Sequence, residues 1–423
     1  MKANYTFKGA VLALCFLVLP LQAQNLINGI NYAIINEGAA VEVAPLPKEG
    51  DTDVRYTQAS LVIPASVEIG GVTYPVKRIG NNALRNNNNL VSLTLPEGLE
   101  VIGNSSLAQC ESLPSVVVPS TVNSIEDWAF YGCFALESIN FPEGMTTITE
   151  HTFQQSGLKS VVLPSTVTSL KVCAFQDAKN LASINLENVT EIVAWSLYGT
   201  ALSDVVVNNV ASIGDCAFAR IPTLESIELN NVGELRGWMF QDCTKLKTVK
   251  MSGTEILNQG TFSGCSALTE ITIPSSVAFI DDWSFEKTAI TKIFASWANP
   301  ATDVVINPNA FGSDEGKINF TWYVPESVYW GWDDFFMGYL VDLFTSVNTI
   351  ELEDGSVNYL QGILNVENLD GFNVTVYAID GRSMGSFAVL GESMQQPMHL
   401  TSGVYLLHAT KGAEKATAKF AVR

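Results

Sequence analysis

The chain has 423 residues, with 23 Lys and Arg against 43 Asp and Glu, a formal net charge of −20 and 47% apolar residues. That much apolar material can bury a large core, which excludes a disordered acidic segment. No clustered basic face exists to neutralise a nucleic-acid backbone or to seek anionic membranes. At roughly 100–200 residues per domain the length predicts two to four domains, unless the chain is a repeat array.

Residues 1–23 read as a secretory signal peptide. Lys2 and Lys8 form a basic start, Ala10 to Leu21 an apolar run, and Gln22-Ala23 a small-residue exit before Gln24. The run is too short to span a bilayer, so export with cleavage after Ala23 is expected. Leu14 precedes Cys15 and the apolar run continues to Leu19, which argues against lipidation at Cys15. Without Lys2 and Lys8 the exported chain keeps 21 basic and 43 acidic residues, a net charge of −22.

The middle of the chain repeats one unit. An aromatic or Leu anchor recurs at Leu84, Leu107, Phe130, Phe153, Phe175, Leu197, Phe218, Phe240, Phe262 and Phe285, at intervals of 21 to 23 residues. Other positions keep step: Ile102, Ile125, Ile148, Ile213 and Ile280 each lie five residues before their anchor. Leu90, Leu113 and Leu136 lie six after theirs, whereas Leu158 and Leu202 come five after, where the unit has lost a turn residue. A fixed period in the twenties is the signature of a solenoid. The L-x-S-[VI]-x-[LVIF]-P segment alternates as a short half-buried strand should, and the S-x-V-x-x-I-x-x-x-A-F stretch after it suits an irregular turn or short 3₁₀ segment. Stacked about 4.8 Å apart, such units build a parallel sheet on one side of the coil.

SINFPEGMTTITEHTF (138–153) and EITIPSSVAFIDDWSF (270–285) resemble the repeat of the BspA-like leucine-rich repeat family, and the resemblance covers about residues 26–348. It implies capping hairpins over 24–78, repeats over 79–294 and an aromatic C-terminal cap over 295–348. The central units depart from the pattern: Glu187, Asn208, Asn230 and Ser252 stand where Pro ends the strand in others. The resemblance implies a non-enzymatic adhesin that binds host matrix or epithelial proteins, or other bacteria.

Residues 349–423 are a different object. FNVTVYAI, GVYLLHAT and ATAKFAVR alternate between Asp-Gly, Ser-Gly and Lys-Gly turn signals, which predicts a small all-β sandwich of immunoglobulin-like kind. This tail resembles the C-terminal sorting domain of type IX secretion substrates, at Val376, Tyr377, Asp380, Gly381, Arg382, Gly403, Tyr405, Lys419 and Phe420. That resemblance implies recognition by secretion machinery and passage to the outer-membrane surface or medium of a Gram-negative bacterium. The alternative is an ordinary immunoglobulin-like domain.

A search for chemistry finds little. Cys110, Cys133, Cys243 and Cys265 sit three residues after their anchors, and Cys173 and Cys216 two before. Residues at one repeat position stack along a coil, so buried free thiols are expected rather than disulfides, and no Cys-x₂₋₄-Cys spacing suggests a metal. His151, His399 and His408 stand near no nucleophile motif, and no cofactor signature appears. The pairs Asp281-Asp282 and Asp333-Asp334 could in principle serve a glycosidase, but solvated turns are where charges collect. GSDEGKI at 312–318 is one residue short of a phosphate loop and has Ile318 in place of the hydroxyl, so it reads as a surface loop.

Two surfaces remain. The aromatic cluster that includes Trp322, Trp330 and Trp332 suits a cap over the last coil, and alternatively a sugar-stacking platform. The outward strand positions, with Asn140, Asn185, Asp204, Glu228, Lys250, Glu270 and Lys292, form the open face through which a solenoid would bind. The expectation is an exported monomeric binding protein that recognises a protein ligand by this face. The alternative is a glycan-binding surface protein of a nutrient-uptake system.

Overall fold

In the computed structural model the chain divides into two units, 1–185 and 186–423. The residues described are 25–48, 54–313, 318–325, 335–336, 339–344, 350–352, 355–360, 363–367, 369–378, 382–391, 393–398, 400, 403–411 and 414–422. Residues 1–23, assigned above to a signal peptide, lie outside them.

The first unit opens with hairpins. Asn28 and Gly29, both left-handed at φ 51° and 79°, close the two-residue turn between the antiparallel strands Asn25–Ile27 and Ile30–Ile35. Gly70 and Gly71 close a second such turn, between Ser66–Ile69 and Val72–Ile79. These residue types reach that backbone region at least cost, and the turn matches the natural twist of a hairpin. Val72–Ile79 pairs parallel both with Ala40–Ala44 and with Val101–Ile102, and so passes the hairpin sheet on to the repeats. Arg78 pins the junction: its guanidinium donates to both carboxylate oxygens of Glu126 (2.8 and 2.6 Å) and reaches Glu42 at 3.3 Å.

Each coil then carries an outer strand, a second short strand and a tight run of turns around its anchor. The outer strands, such as Ser115–Val116 and Ser138–Ile139, pair in parallel at the repeat spacing. The stretch expected to be irregular ends in a second parallel ladder, two residues per coil: Val101–Ile102 with Ser124–Ile125, and Thr147–Ile148 with Ser169–Leu170. The isoleucines five before their anchors sit on this ladder and are buried.

The turns are locked by a third set of backbone bonds. The N–H groups of Ser105, Leu107 and Gln109 donate to the carbonyls of Asp127, Ala129 and Tyr131 on the next coil (2.9, 3.0 and 2.6 Å). Left-handed residues two before and two after the anchor make this possible, and they recur around all ten anchors from Leu84 to Phe285. With such kinks the chain turns alternate N–H groups along the stack, where a helical turn would spend them within the coil.

The anchors fill the core. Phe130, Phe153 and Phe175 are fully buried and their rings stack at 5.5 and 5.4 Å. In the second unit Phe218, Phe240, Phe262 and Phe285 stack likewise at 5.9, 5.4 and 5.7 Å. The series continues one step beyond the sequence period: Phe311 stacks on Phe285 at 5.7 Å, and Val305–Ile306 extends the second ladder from Phe279–Ile280. Each such ring contributes about 1.5–3 kcal/mol by leaving water. No coil could bury its anchor alone, so the stack is cooperative between neighbours.

The tail is a β-sandwich. Ile350–Leu352, Gly355–Leu360, Ile363–Glu367 and Ser393–Pro397 form one antiparallel sheet. Ser383–Ala388, Asn373–Ala378, Gly403–Lys411 and Glu414–Val422 form the other. Leu364 and Val366 from the first share a core with Val374, Val376, Tyr405 and Leu407 from the second.

Candidate functional site

In the first unit the outer strands present two columns to solvent. Ser60, Ser92, Ser115, Ser138, Ser160 and Ser183 are all exposed, while Leu61, Leu93, Val116 and Val161 beside them face the core. The neighbouring column reads Val62, Thr94, Val117, Asn140, Val162 and Asn185, and its valines are 64, 76 and 77% exposed. None of these twelve positions is charged in a protein of net charge −20. Charge begins at the rim, where Lys159 pairs with Glu137 across coils at 2.7 Å.

The two asparagines are tied into the fold. Asn140 Oδ1 accepts from the Val118 N–H at 2.7 Å and its Nδ2 donates to the Val118 carbonyl at 2.8 Å. Asn185 treats Leu163 in the same way, at 2.6 and 3.0 Å. Each amide thus pairs with a peptide group of the preceding coil as another strand residue would. Neither side chain is free to read a ligand.

The corresponding columns of the second unit mix charged residues with Val206, Thr248 and Thr272, and some of the charges pair within the face. Asp204 accepts from the hydroxyls of Ser226 and Ser203 (2.5 and 2.8 Å), and these bonds hold its carboxyl below the ordinary range. Glu228 accepts from Asn230 Nδ2 at 3.1 Å and meets Lys250 at 3.8 Å. Glu270 and Lys292 stand in register on adjacent strands, both exposed. Beside them Phe294 meets Tyr323 at 5.3 Å between ring centres.

Trp322 does not face solvent. It stands in register with the inward Ile293 and is fully buried against Trp297, Phe311 and Phe320 at 5.1 to 6.0 Å. It packs as core and presents no face for a sugar. Trp330, Trp332, the Asp333-Asp334 pair, His399 and Gly381 lie outside the described residues. In the tail, Arg382 is exposed and its carbonyl accepts from the Ala378 N–H, where the register between Asn373–Ala378 and Ser383–Ala388 shifts. Tyr405 is buried, and Gly403 and Lys419 lie on the paired strands Gly403–Lys411 and Glu414–Val422. All six cysteines of the repeats are free and buried; burial pushes the Cys110 and Cys243 thiols up to about 12 and those of Cys173 and Cys216 up to about 11. Among the described residues no cluster of His, Cys, Asp and Glu could hold a metal ion, and no helix is long and apolar enough to cross a membrane.

One column escaped the sequence reading. Two residues before the anchors stand Trp128, His151, Trp195, Trp238 and Trp283, all left-handed at φ 56° to 62°. Bulky residues rarely adopt that conformation, at a cost of order 1–3 kcal/mol each. The rings recover part of it by packing across coils: Trp128 lies 3.8 Å from His151 at an interplanar angle of 13°, and Trp238 meets Trp283 at 6.1 Å. His151 Nδ1 bonds Gln154 Oε1 at 2.8 Å, and Gln154 Nε2 donates to Gln176 at 2.9 Å. Trp195 is 37% exposed and the other rings are half-buried. The sequence signal was there, in the tryptophans that recur in step with the anchors.

Comparison with known proteins fits this geometry. The pattern described as a BspA type leucine rich repeat region matches residues 77–203 and 190–314, in six copies. No curated protein matches the chain. A crystal structure of a leucine-rich repeat protein from Bacteroides ovatus is similar at 22% identity, over 75% of this chain and 99% of that one, with a TM-score of 0.50. A leucine rich cell surface protein from Faecalibacterium prausnitzii is similar at 20% identity, over 70% and 93%, with a TM-score of 0.42. At these identities the first likeness concerns the fold alone. The matched pattern spans more than half of the chain, reaches the coil of Phe311 and keeps the register of the stacked anchors, and on that ground the chain belongs to the BspA-type leucine-rich repeat family.

Proposed function

We propose that the protein is an exported, non-enzymatic binding protein of a Gram-negative bacterium, an adhesin that takes a protein partner on the outward strand face of its first unit. The observation that carries this is the uncharged double column with Val117 and Val162 more than three-quarters exposed. Protein interfaces desolvate best where charges are absent from the centre and kept to the rim, as Glu137 and Lys159 are here. The basic and apolar segments of residues 1–23 support export. The Asp380-Gly381-Arg382 sequence, within a tail that folds as a sandwich, supports a role as sorting domain, in which secretion machinery is the second partner.

The test is a protein array of host matrix, epithelial and bacterial surface proteins, probed with the full chain and with Val117→Lys and Val162→Lys. Both positions are too exposed for the substitutions to harm the fold. A protein ligand bound by the parent chain and lost in both variants supports the proposal. Binding indifferent to both, or no protein ligand at all, overturns it.

A further inference from the structure

A concave site lies on the same unit, among the turns that precede the outer strands. The coil of Phe153 is one residue shorter than its predecessor, since Leu158 follows its anchor by five positions and Leu136 by six. Gly157 stands at the shortened corner, where a Cβ would lie 2.2 Å from the carbonyl oxygen of Phe134 on the preceding coil. Only glycine permits that approach, and glycine brings no side chain to cover the Phe134 ring, which is 55% exposed. The next coil resumes the longer turn with Lys179 and Asn180. Between them opens a groove of about 450 Å³, within the range of small-ligand sites.

The groove is floored by a buried serine and walled by polar groups. Ser156 is 4% exposed, and its Oγ bonds no group among the described residues. It stands three after its anchor, where Cys110, Cys133, Cys243 and Cys265 reach a carbonyl of the preceding coil through Sγ at 3.1 to 3.2 Å. Ser156 makes no such bond, but its Oγ is closed off from solvent, so Ser156 forms the floor of the groove through its other atoms. Around the groove stand the planar polar groups of Gln155, Asp177 and Asn180, the first two fixed on left-handed corners at φ 59° and 55°.

We infer that this groove is a subsite for a neutral pyranose sugar. One face of such a ring carries C–H groups that pack on the negative face of an aromatic ring, here Phe134. Its hydroxyls both donate and accept, as pairing with the carboxylate of Asp177 and the amides of Gln155 and Asn180 requires. Asp177 and Lys179 cancel in charge within the groove, and the chain is acidic overall, so nothing there favours an anionic ligand. A peptide cannot add here as an extra strand, because none of the residues that line the groove belongs to a strand. The site is independent of the strand face proposed for the protein partner.

The experiment is an array of neutral and acidic glycans probed with the full chain, followed by titration calorimetry with the free sugar that binds. Phe134→Ala and Asp177→Asn, both at surface positions, should each weaken binding about tenfold or more at an unchanged melting temperature. Val117→Lys and Val162→Lys should leave sugar binding unchanged, so failure of either proposal is visible without the other. No neutral sugar bound, sugar binding that survives both groove substitutions, or acidic glycans alone bound would each overturn the inference.

Discussion

Asn140 pairs with Val118 as if it were a peptide group, accepting from the N–H at 2.7 Å and donating to the carbonyl at 2.8 Å. Its side chain therefore closes the outer ladder between two coils. Asn140→Ala should cost about 1–2 kcal/mol, because two strand groups lose partners. Asn140→Asp is the sharper test. At neutral pH it sets a carboxylate oxygen against the Val118 carbonyl, and protonation restores a donor. Urea midpoints should show the Asp variant well below the parent at pH 7 and recovering towards pH 4. A variant as stable as the parent at pH 7 would show that the amide contributes nothing.

Trp238 lies against Gly260 on the following coil, where an added Cβ would meet the ring carbons Cε3, Cζ3 and Cδ2 at 2.3 to 2.6 Å. Gly260 is also left-handed, at φ 65°. Gly260→Ala should thus destabilise by about 1–3 kcal/mol and shift tryptophan emission to the red as the ring is displaced. The double variant with Trp238→Ala should cost clearly less than the two single changes added together, since the clash then has no ring to meet. Strict additivity would refute the contact.

The anchors and the buried isoleucines were legible in the sequence because each is large, apolar and repeated at one spacing. The cysteines were legible for the same reason: register placed them on buried rungs, and buried they are. The second ladder was not, because two residues per coil are too few to alternate. Phe311 was missed because it follows Phe285 by 26 residues, across an insertion that contains the short helix Pro300–Asp303. The outward face was legible as a set of positions, not as roles: Asn140 and Asn185 turn inward on their own backbone neighbours through bonds that depend on the preceding coil. The Trp column and the groove at Gly157 stayed hidden because one rests on a backbone conformation imposed by stacking and the other on a missing side chain.

Burial makes the cysteines a source of alkaline sensitivity. Cys110 and Cys243 rise to about 12 in the folded chain, and Cys133 and Cys265 are raised well above the usual thiol range by the same desolvation. A raised acid group favours the folded state fully below the unfolded value, near 8.5–9, and that contribution is lost as pH climbs towards the folded value. Between about pH 9 and 11 each fully buried thiol should remove up to about 1.4 kcal/mol per pH unit. Urea midpoints should be level from pH 7 to 8 and fall at pH 10, less steeply in Cys110→Ala. Native thiols that react readily with an aromatic disulfide at pH 8 would contradict the burial.

Phe153 sits between Phe130 at 5.5 Å and Phe175 at 5.4 Å, in a column where Leu84 and Leu107 occupy the equivalent place. Phe153→Leu should be tolerated at about 1.5 kcal/mol or less, because the smaller residue is native to the column. Phe153→Ala should cost about 3–5 kcal/mol by leaving a cavity between two rings. In a stack held by neighbours the loss must also spread along the coils. Hydrogen exchange should therefore accelerate at the Phe130 amide, which donates to Thr152, and at the Phe153 amide, which donates to Ala174. The Leu84 amide, three anchors away, should keep its protection. Uniform acceleration at all three would mean that the coils open together, and that the nearest-neighbour account of this core is wrong.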